Sequence, residues 1–141
     1  AMVYLKEKGL DKVIKNLKQP TLGICLGQQL MCAYSEEGNT DCLGIFPIQV
    51  KLFPSTEIVP HMGWNTIYDL KTPLFNEVEE NSDFYYVHSF YCENSEYTIA
   101  KTDYILEYSA ALHKDNFYAT QFHPEKSARI GEQILKNFLS L

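Results

Sequence analysis

The segment Gly23-Ile24-Cys25-Leu26-Gly27 constrains this chain more than any other. Thr21-Leu22-Gly23-Ile24 reads as a short buried strand, and Gly27 to Tyr34 as a helix. A strand that passes into a helix through so few residues must turn sharply. Glycine on both sides of the cysteine predicts that a Cβ at either position would crowd the neighbouring element. This is the cysteine form of the G-x-S-x-G elbow. It predicts Cys25 exposed on the tip of the turn at a helix start, where the helix dipole favours a thiolate. The backbone N–H of Leu26 would face a developing oxyanion. Read alone, the pattern also fits a buried cysteine at a glycine-bracketed strand end.

A helix, a buried strand, a helix, a mostly β middle and a closing helix imply an α/β fold with both sheet faces covered. Residues 2–18 show an amphipathic helical pattern interrupted at Gly9 and closed by Pro20. Residues 45–53 read as extended, and 83–91 and 97–101 as strands rich in aromatic and β-branched residues. Residues 109–121 read as a hairpin turning at Lys114-Asp115-Asn116. Ser127 is a candidate N-cap for a last helix, with Ile130, Ile134, Leu135 and Phe138 on one face. The length of 141 residues fits one domain, 1–141.

Charge and cysteine usage exclude several function classes. A net charge of −6 gives no basic footprint for nucleic acid. No apolar run reaches the length of a membrane span, and the first residues do not form a signal peptide. The four cysteines (Cys25, Cys32, Cys42, Cys92) lack framework or C-x-x-C spacing. They read as free thiols in a reducing, cytoplasmic compartment. Neither a metal-ligand spacing nor a phosphate-binding glycine loop is visible, so no cofactor is expected.

A cysteine nucleophile needs a base and a group to orient it. Gln121-Phe122-His123-Pro124-Glu125 offers both at the end of a predicted strand. His123 and Glu125 are i and i+2, which point the same way in extended chain, and Pro124 favours that conformation before it. One imidazole nitrogen would bond Glu125 and the other would face Cys25; the catalytic reading requires the two to lie within hydrogen-bond reach in the folded chain. By itself a His-x-Glu sequence is more often a surface turn. Of the other histidines, His113 reads as solvated beside a turn, and His61 and His88 as structural in aromatic surroundings.

Together, the Gly23–Gln29 elbow and Phe122-His123-Pro124-Glu125-Lys126-Ser127 resemble the class I (triad-type) glutamine amidotransferases. Pro60-His61-Met62-Gly63-Trp64-Asn65 and Tyr86-Val87-His88-Ser89-Phe90-Tyr91 resemble the branch that serves as glutaminase subunit of imidazole glycerol phosphate synthase. The resemblance implies a three-layer sheet with helices on both faces and glutamine as substrate. It implies Cys25 as nucleophile, His123 as base, Glu125 as its orienter and Leu26 as an oxyanion donor. Gln29, Glu37 (at the end of the elbow helix), Ser89 and Phe90 match substrate-holding positions. His61, Met62, Trp64, Asn65 and Lys126 match the side facing a barrel-shaped cyclase subunit, which would receive the ammonia.

The resemblance also implies two β-α units ahead of the elbow, roughly 50–60 residues at ~30 per unit. One of them carries a glycine-rich loop that supplies a second oxyanion N–H. Only one helical segment precedes Cys25 here, so the chain reads as an N-terminally truncated member. An uncovered sheet edge would then favour self-association. The missing donor would lower the rate by ~10²–10³. The alternatives are a glutaminase serving another synthase, a related cysteine hydrolase, or an impaired partner-binding fragment.

Overall fold

The computed structural model describes residues Ala1–Leu141. The first helical pattern is two helices, α1 (Met2–Glu7) and α2 (Leu10–Lys15), separated by Gly9 in the left-handed conformation at φ 69°. Then follow β1 (Thr21–Ile24), α3 (Leu26–Met31), β2 (Tyr34–Ser35), β3 (Thr40–Asp41) and β4 (Gln49–Leu52). β5 (His61–Ile67), β6 (Ser82–His88) and β7 (Phe90–Cys92) form the middle. β8 (Thr98–Tyr104), β9 (Leu106–Lys114), β10 (Phe117–Thr120) and α4 (Ala128–Leu139) complete the chain.

The strands form three sheets. The central one has the order β1-β10-β9-β8, with β1 parallel to β10 and the rest antiparallel. A second has the order β3-β2-β4-β7, and β5 pairs with β6 alone. The central sheet is covered on both faces, as its alternating side chains show. Phe117 and Ala119 pack into a cluster with Met2 of α1 and Met31 of α3. Tyr118 and Phe122 enter the opposite cluster, which contains Ile134 of α4 and contacts Ile130 and Phe138. The expected α/β architecture is therefore present. No helix is long and apolar enough to cross a membrane.

Three local expectations change. The elbow helix ends at Met31, not Tyr34, because Cys32 turns extended and Ala33 N–H bonds the Ile48 carbonyl. Glu37 consequently lies between β2 and β3 rather than at a helix end. The predicted 83–91 strand breaks at Ser89, so that β6 and β7 join different sheets. The hairpin forms as expected, with β9 and β10 joined at Asp115-Asn116 and Asp115 at φ 54°. The His61–Ile67 strand carries no assignment from sequence; its alternation is hidden because His61 is polar yet buried.

Candidate active site

β1 delivers the chain to Cys25, whose backbone sits at φ 53°, ψ −102°. A non-glycine residue there stores roughly 1–3 kcal/mol of strain. Cys25 N–H bonds the Thr120 carbonyl at 2.7 Å, tying the turn to β10. Gly23 is required: a Cβ there would lie 2.8 Å from the Gly27 carbonyl carbon and 2.9 Å from its oxygen. Gly27 is different. A Cβ on it would meet open space, so the close approach belongs to Gly23 alone. The steric expectation holds for one glycine of the pair.

Cys25 is half-buried rather than exposed. Burial pushes its thiol pKa up; the Leu26 N–H and the Gln121 amide pull the other way without prevailing. The shift runs against the expected thiolate. The thiol donates to the Val87 carbonyl at 3.6 Å and accepts from Gln121 Nε2 at 3.6 Å.

The base side forms a separate unit. Glu125 Oε2 lies 2.8 Å from His123 Nδ1, the expected pair, although Glu125 sits in a 3₁₀ turn and not in the extended chain that the i, i+2 argument assumes. The two span the start of a 3₁₀ turn, Pro124–Lys126. His123 N–H bonds the Tyr85 carbonyl at 2.9 Å. Ser127 makes no side-chain cap to α4. Its hydroxyl instead donates to the His123 carbonyl at 2.6 Å and accepts from Tyr85 N–H at 2.9 Å. Gly131 lets α4 sit against this turn, because a Cβ there would fall 1.9 Å from the Pro124 carbonyl oxygen.

The expected Cys25–His123 hydrogen bond is not made. The sulfur bonds Val87 and Gln121, and the imidazole bonds Glu125. Both sides nevertheless hang from β6: His123 is anchored on the Tyr85 carbonyl and the thiol on that of Val87. These carbonyls are two residues apart, roughly 7 Å along a strand. The half-buried thiol donates to the Val87 carbonyl, and resting catalytic hydrogen bonds are often unmade until substrate enters.

A cleft of about 290 Å³ opens beside the thiol, lined by Cys25, Leu26, Gln29, Glu37, Val87, His88, Ser89 and Phe90. All four sequence-predicted substrate positions line it, with the nucleophile and the oxyanion candidate; His123 and Glu125 do not. Gln29 is buried and donates to the Phe90 carbonyl and Gln121 Oε1, both at 3.1 Å.

The predicted docking residues divide. Met62 and Trp64 stand exposed on one face of β5, with Trp64 edge-on to Tyr85 at 5.9 Å. Lys126 is exposed on the 3₁₀ turn. Asn65 is half-buried, donating to the Asp103 carbonyl at 2.7 Å. His61 is not on the surface at all. It lies buried, stacked on Tyr104 at 4.0 Å and Tyr86 at 4.9 Å, and its Nδ1 lies 3.3 Å from His88 Nε2 and 3.2 Å from the Tyr108 hydroxyl. Strand alternation explains the split, since His61 and Met62 must face opposite ways. Burial lowers the pKa of His61 to about 4 and that of His88 to about 3, in keeping with the aromatic surroundings expected of both. His113 is also less solvated than expected, stacked on Tyr118 at 4.1 Å.

The family model for class-I glutamine amidotransferases matches residues 5–141. The chain belongs to that family. It is 62% identical over 143 aligned positions to the imidazole glycerol phosphate synthase subunit HisH of Bacteroides fragilis, covering 99% of this chain and 73% of the relative. The HisH subunit of Mannheimia succiniciproducens is 48% identical with the same coverage. Solved structures share the fold at lower identity. A glutamine amidotransferase from Thermotoga maritima aligns with TM-score 0.63 and 18% identity over 97% of this chain and 54% of its own. The Trypanosoma brucei CTPS glutaminase domain with bound acivicin aligns with TM-score 0.61 and 14% identity over 92% and 64%. The chain thus spans less than two thirds of these two solved chains.

Sequence reasoning missed Gln121, Val87 and Gly131, and misjudged the role of Ser127. Only Gln121 carried a signal, as a side-chain amide directly after the Phe117–Thr120 strand.

Proposed function

We propose that this chain hydrolyses L-glutamine to glutamate and ammonia as the glutaminase subunit of imidazole glycerol phosphate synthase in histidine biosynthesis. The observation that carries the reading is the single cleft that gathers Cys25 with Leu26, Gln29, Glu37, Ser89 and Phe90. The cysteine sulfur attacks the side-chain amide carbon while His123 removes the thiol proton. The oxyanion forms against the Leu26 N–H. Collapse breaks the C–N bond, and His123 returns the proton to the departing ammonia. Water then cleaves the thioester, with His123 as base, and glutamate leaves. Glu125 fixes the imidazole tautomer through Nδ1.

Within the cleft, Glu37 supplies the charge to meet the substrate ammonium. Gln29 and the Ser89-Phe90 backbone hold its other end. Ammonia passes to a barrel-shaped cyclase subunit seated over Met62, Trp64 and Lys126. The family relation and the HisH relatives support this partner, and residues 1–141 act as one glutamine amidotransferase domain in the cytoplasm. β1 has only β10 as a sheet neighbour, and its open edge is the surface through which two copies would associate.

The test is glutamate release from glutamine with and without the cyclase subunit. Turnover that is stimulated by the cyclase and lost in Cys25→Ser supports the reading. If the cyclase binds in a Trp64-dependent way while no condition yields turnover, the chain is a partner-binding piece instead. The resting Cys25–Val87 hydrogen bond is the observation that favours this second reading.

A further inference from the structure

Gln121 is fully buried directly after β10, two residues before His123, and its backbone N–H bonds the Ala110 carbonyl at 2.8 Å. Its side chain lies between two members of the cleft. Nε2 is 3.6 Å from the Cys25 sulfur, and Oε1 accepts from Gln29 Nε2 at 3.1 Å. The same Gln29 nitrogen donates to the Phe90 carbonyl at 3.1 Å.

The orientation of this chain of groups follows from its last member. A backbone carbonyl only accepts, and the Phe90 oxygen also lies 2.7 Å from His88 Nδ1. Gln29 must therefore turn its NH2 towards Phe90. One hydrogen of that NH2 goes to Phe90 and the other to Gln121, which must answer with oxygen. The Gln121 NH2 is then left facing sulfur. The thiol has one partner of each kind: Val87 C=O, which can only hold the protonated form, and Gln121 N–H, which suits the anion.

We propose that Gln121 is a positioning residue for glutamine hydrolysis, holding the Cys25 sulfur at the cleft wall and coupling it to Gln29. When His123 takes the thiol proton, Val87 loses its partner and the Gln121 amide retains one. Because Gln29 lines the cleft, a ligand that moves it also moves the donor on Cys25. The inference rests on the proposed glutaminase reading for its reaction, but its core is a claim about the thiol.

Iodoacetamide alkylation at varied pH, read by mass spectrometry of the Cys25 peptide, tests that claim without glutamine. In Gln121→Leu the midpoint for Cys25 moves up by about one pH unit, a tenfold slower reaction near neutral pH. In Gln121→Glu it moves further, because a carboxylate replaces the donor. Glutamine kinetics should show kcat falling more than KM rises in both. A folded Gln121→Leu protein with an unchanged Cys25 midpoint overturns the proposal. Should these variants not fold, the wild-type side-chain amide of Gln121, followed by nitrogen-15 NMR, must shift with Cys25 ionisation and stop doing so in Cys25→Ser. A silent amide overturns it equally. Normal turnover with a silent midpoint removes only Gln121; a shifted midpoint without turnover removes only the glutaminase reading.

Discussion

Cys25 and His123 are anchored two residues apart on β6, yet the protein holds them by different means. Cys25 is fixed by long-range structure: a strained backbone between β1 and α3, a hydrogen bond to β10, and a buried amide from Gln121. His123 is oriented by a neighbour two residues away, Glu125, whose side chain is 45% exposed. Its turn is then positioned by Ser127 and Gly131. The nucleophile depends on topology. The base depends on a local pair that α4 presses into place. Damage to the first side should therefore remove chemistry without loosening the fold, and damage to the second should trade geometry against stability.

The largest effect is expected from Cys25→Ser. The hydroxyl can still donate to Val87, so the elbow survives, while a far weaker nucleophile replaces the thiol. Glutamate release should fall by at least ~10³-fold, with the thermal midpoint nearly unchanged. A clear loss of stability would show that the elbow needs the sulfur itself. Glu125→Gln comes next. It leaves the imidazole without its charged partner, and turnover should fall about 10²-fold at neutral pH. A loss below about threefold would mean that the Pro124 turn alone orients His123.

Gly131→Ala separates the two sides most sharply. The added Cβ meets the Pro124 carbonyl oxygen at 1.9 Å, and neither that backbone nor α4 can yield cheaply. Stability should drop by about 1–3 kcal/mol, with slower turnover as the His123 turn is pushed away. The alkylation rate of Cys25 should stay the same. A parallel change at Cys25 would join the two sides into one mechanical unit.

These differences also mark what was legible in the sequence. The Gly23–Gly27 elbow, the His123–Glu125 pair and the α4 stripe depend on short-range spacing along the chain, and spacing is what a sequence displays. The substrate positions came from the family resemblance, and the cleft gathers all four. Gln121 escaped because its value lies in touching Cys25 and Gln29, contacts made only after β1 pairs with β10. Gly131 escaped because a glycine in a helix looks like a weakness until the Pro124 turn is seated on it. His61 misled for a related reason. The motif placed it beside Trp64, but alternation along β5 sends one outward and the other into the aromatic core.

That buried histidine supplies the smallest effect. His61 and His88 have pKa values lowered by burial to about 4 and about 3, against 6.5 for a free imidazole. Well above pH 6.5 both are neutral in folded and unfolded chain, and neither makes stability depend on pH. Below 6.5 the unfolded chain gains protons that the folded core refuses, among Tyr86, Tyr104 and Tyr108. Stability is then lost as pH falls towards 4 and 3, at up to about 1.4 kcal/mol per pH unit for each imidazole. Urea unfolding at pH 7.5, 6.0 and 5.0 should show a falling midpoint, and the fall should be shallower in His61→Phe, which keeps the stack on Tyr104 without the titrating nitrogen. A slope that is unchanged in His61→Phe would place the acid sensitivity elsewhere.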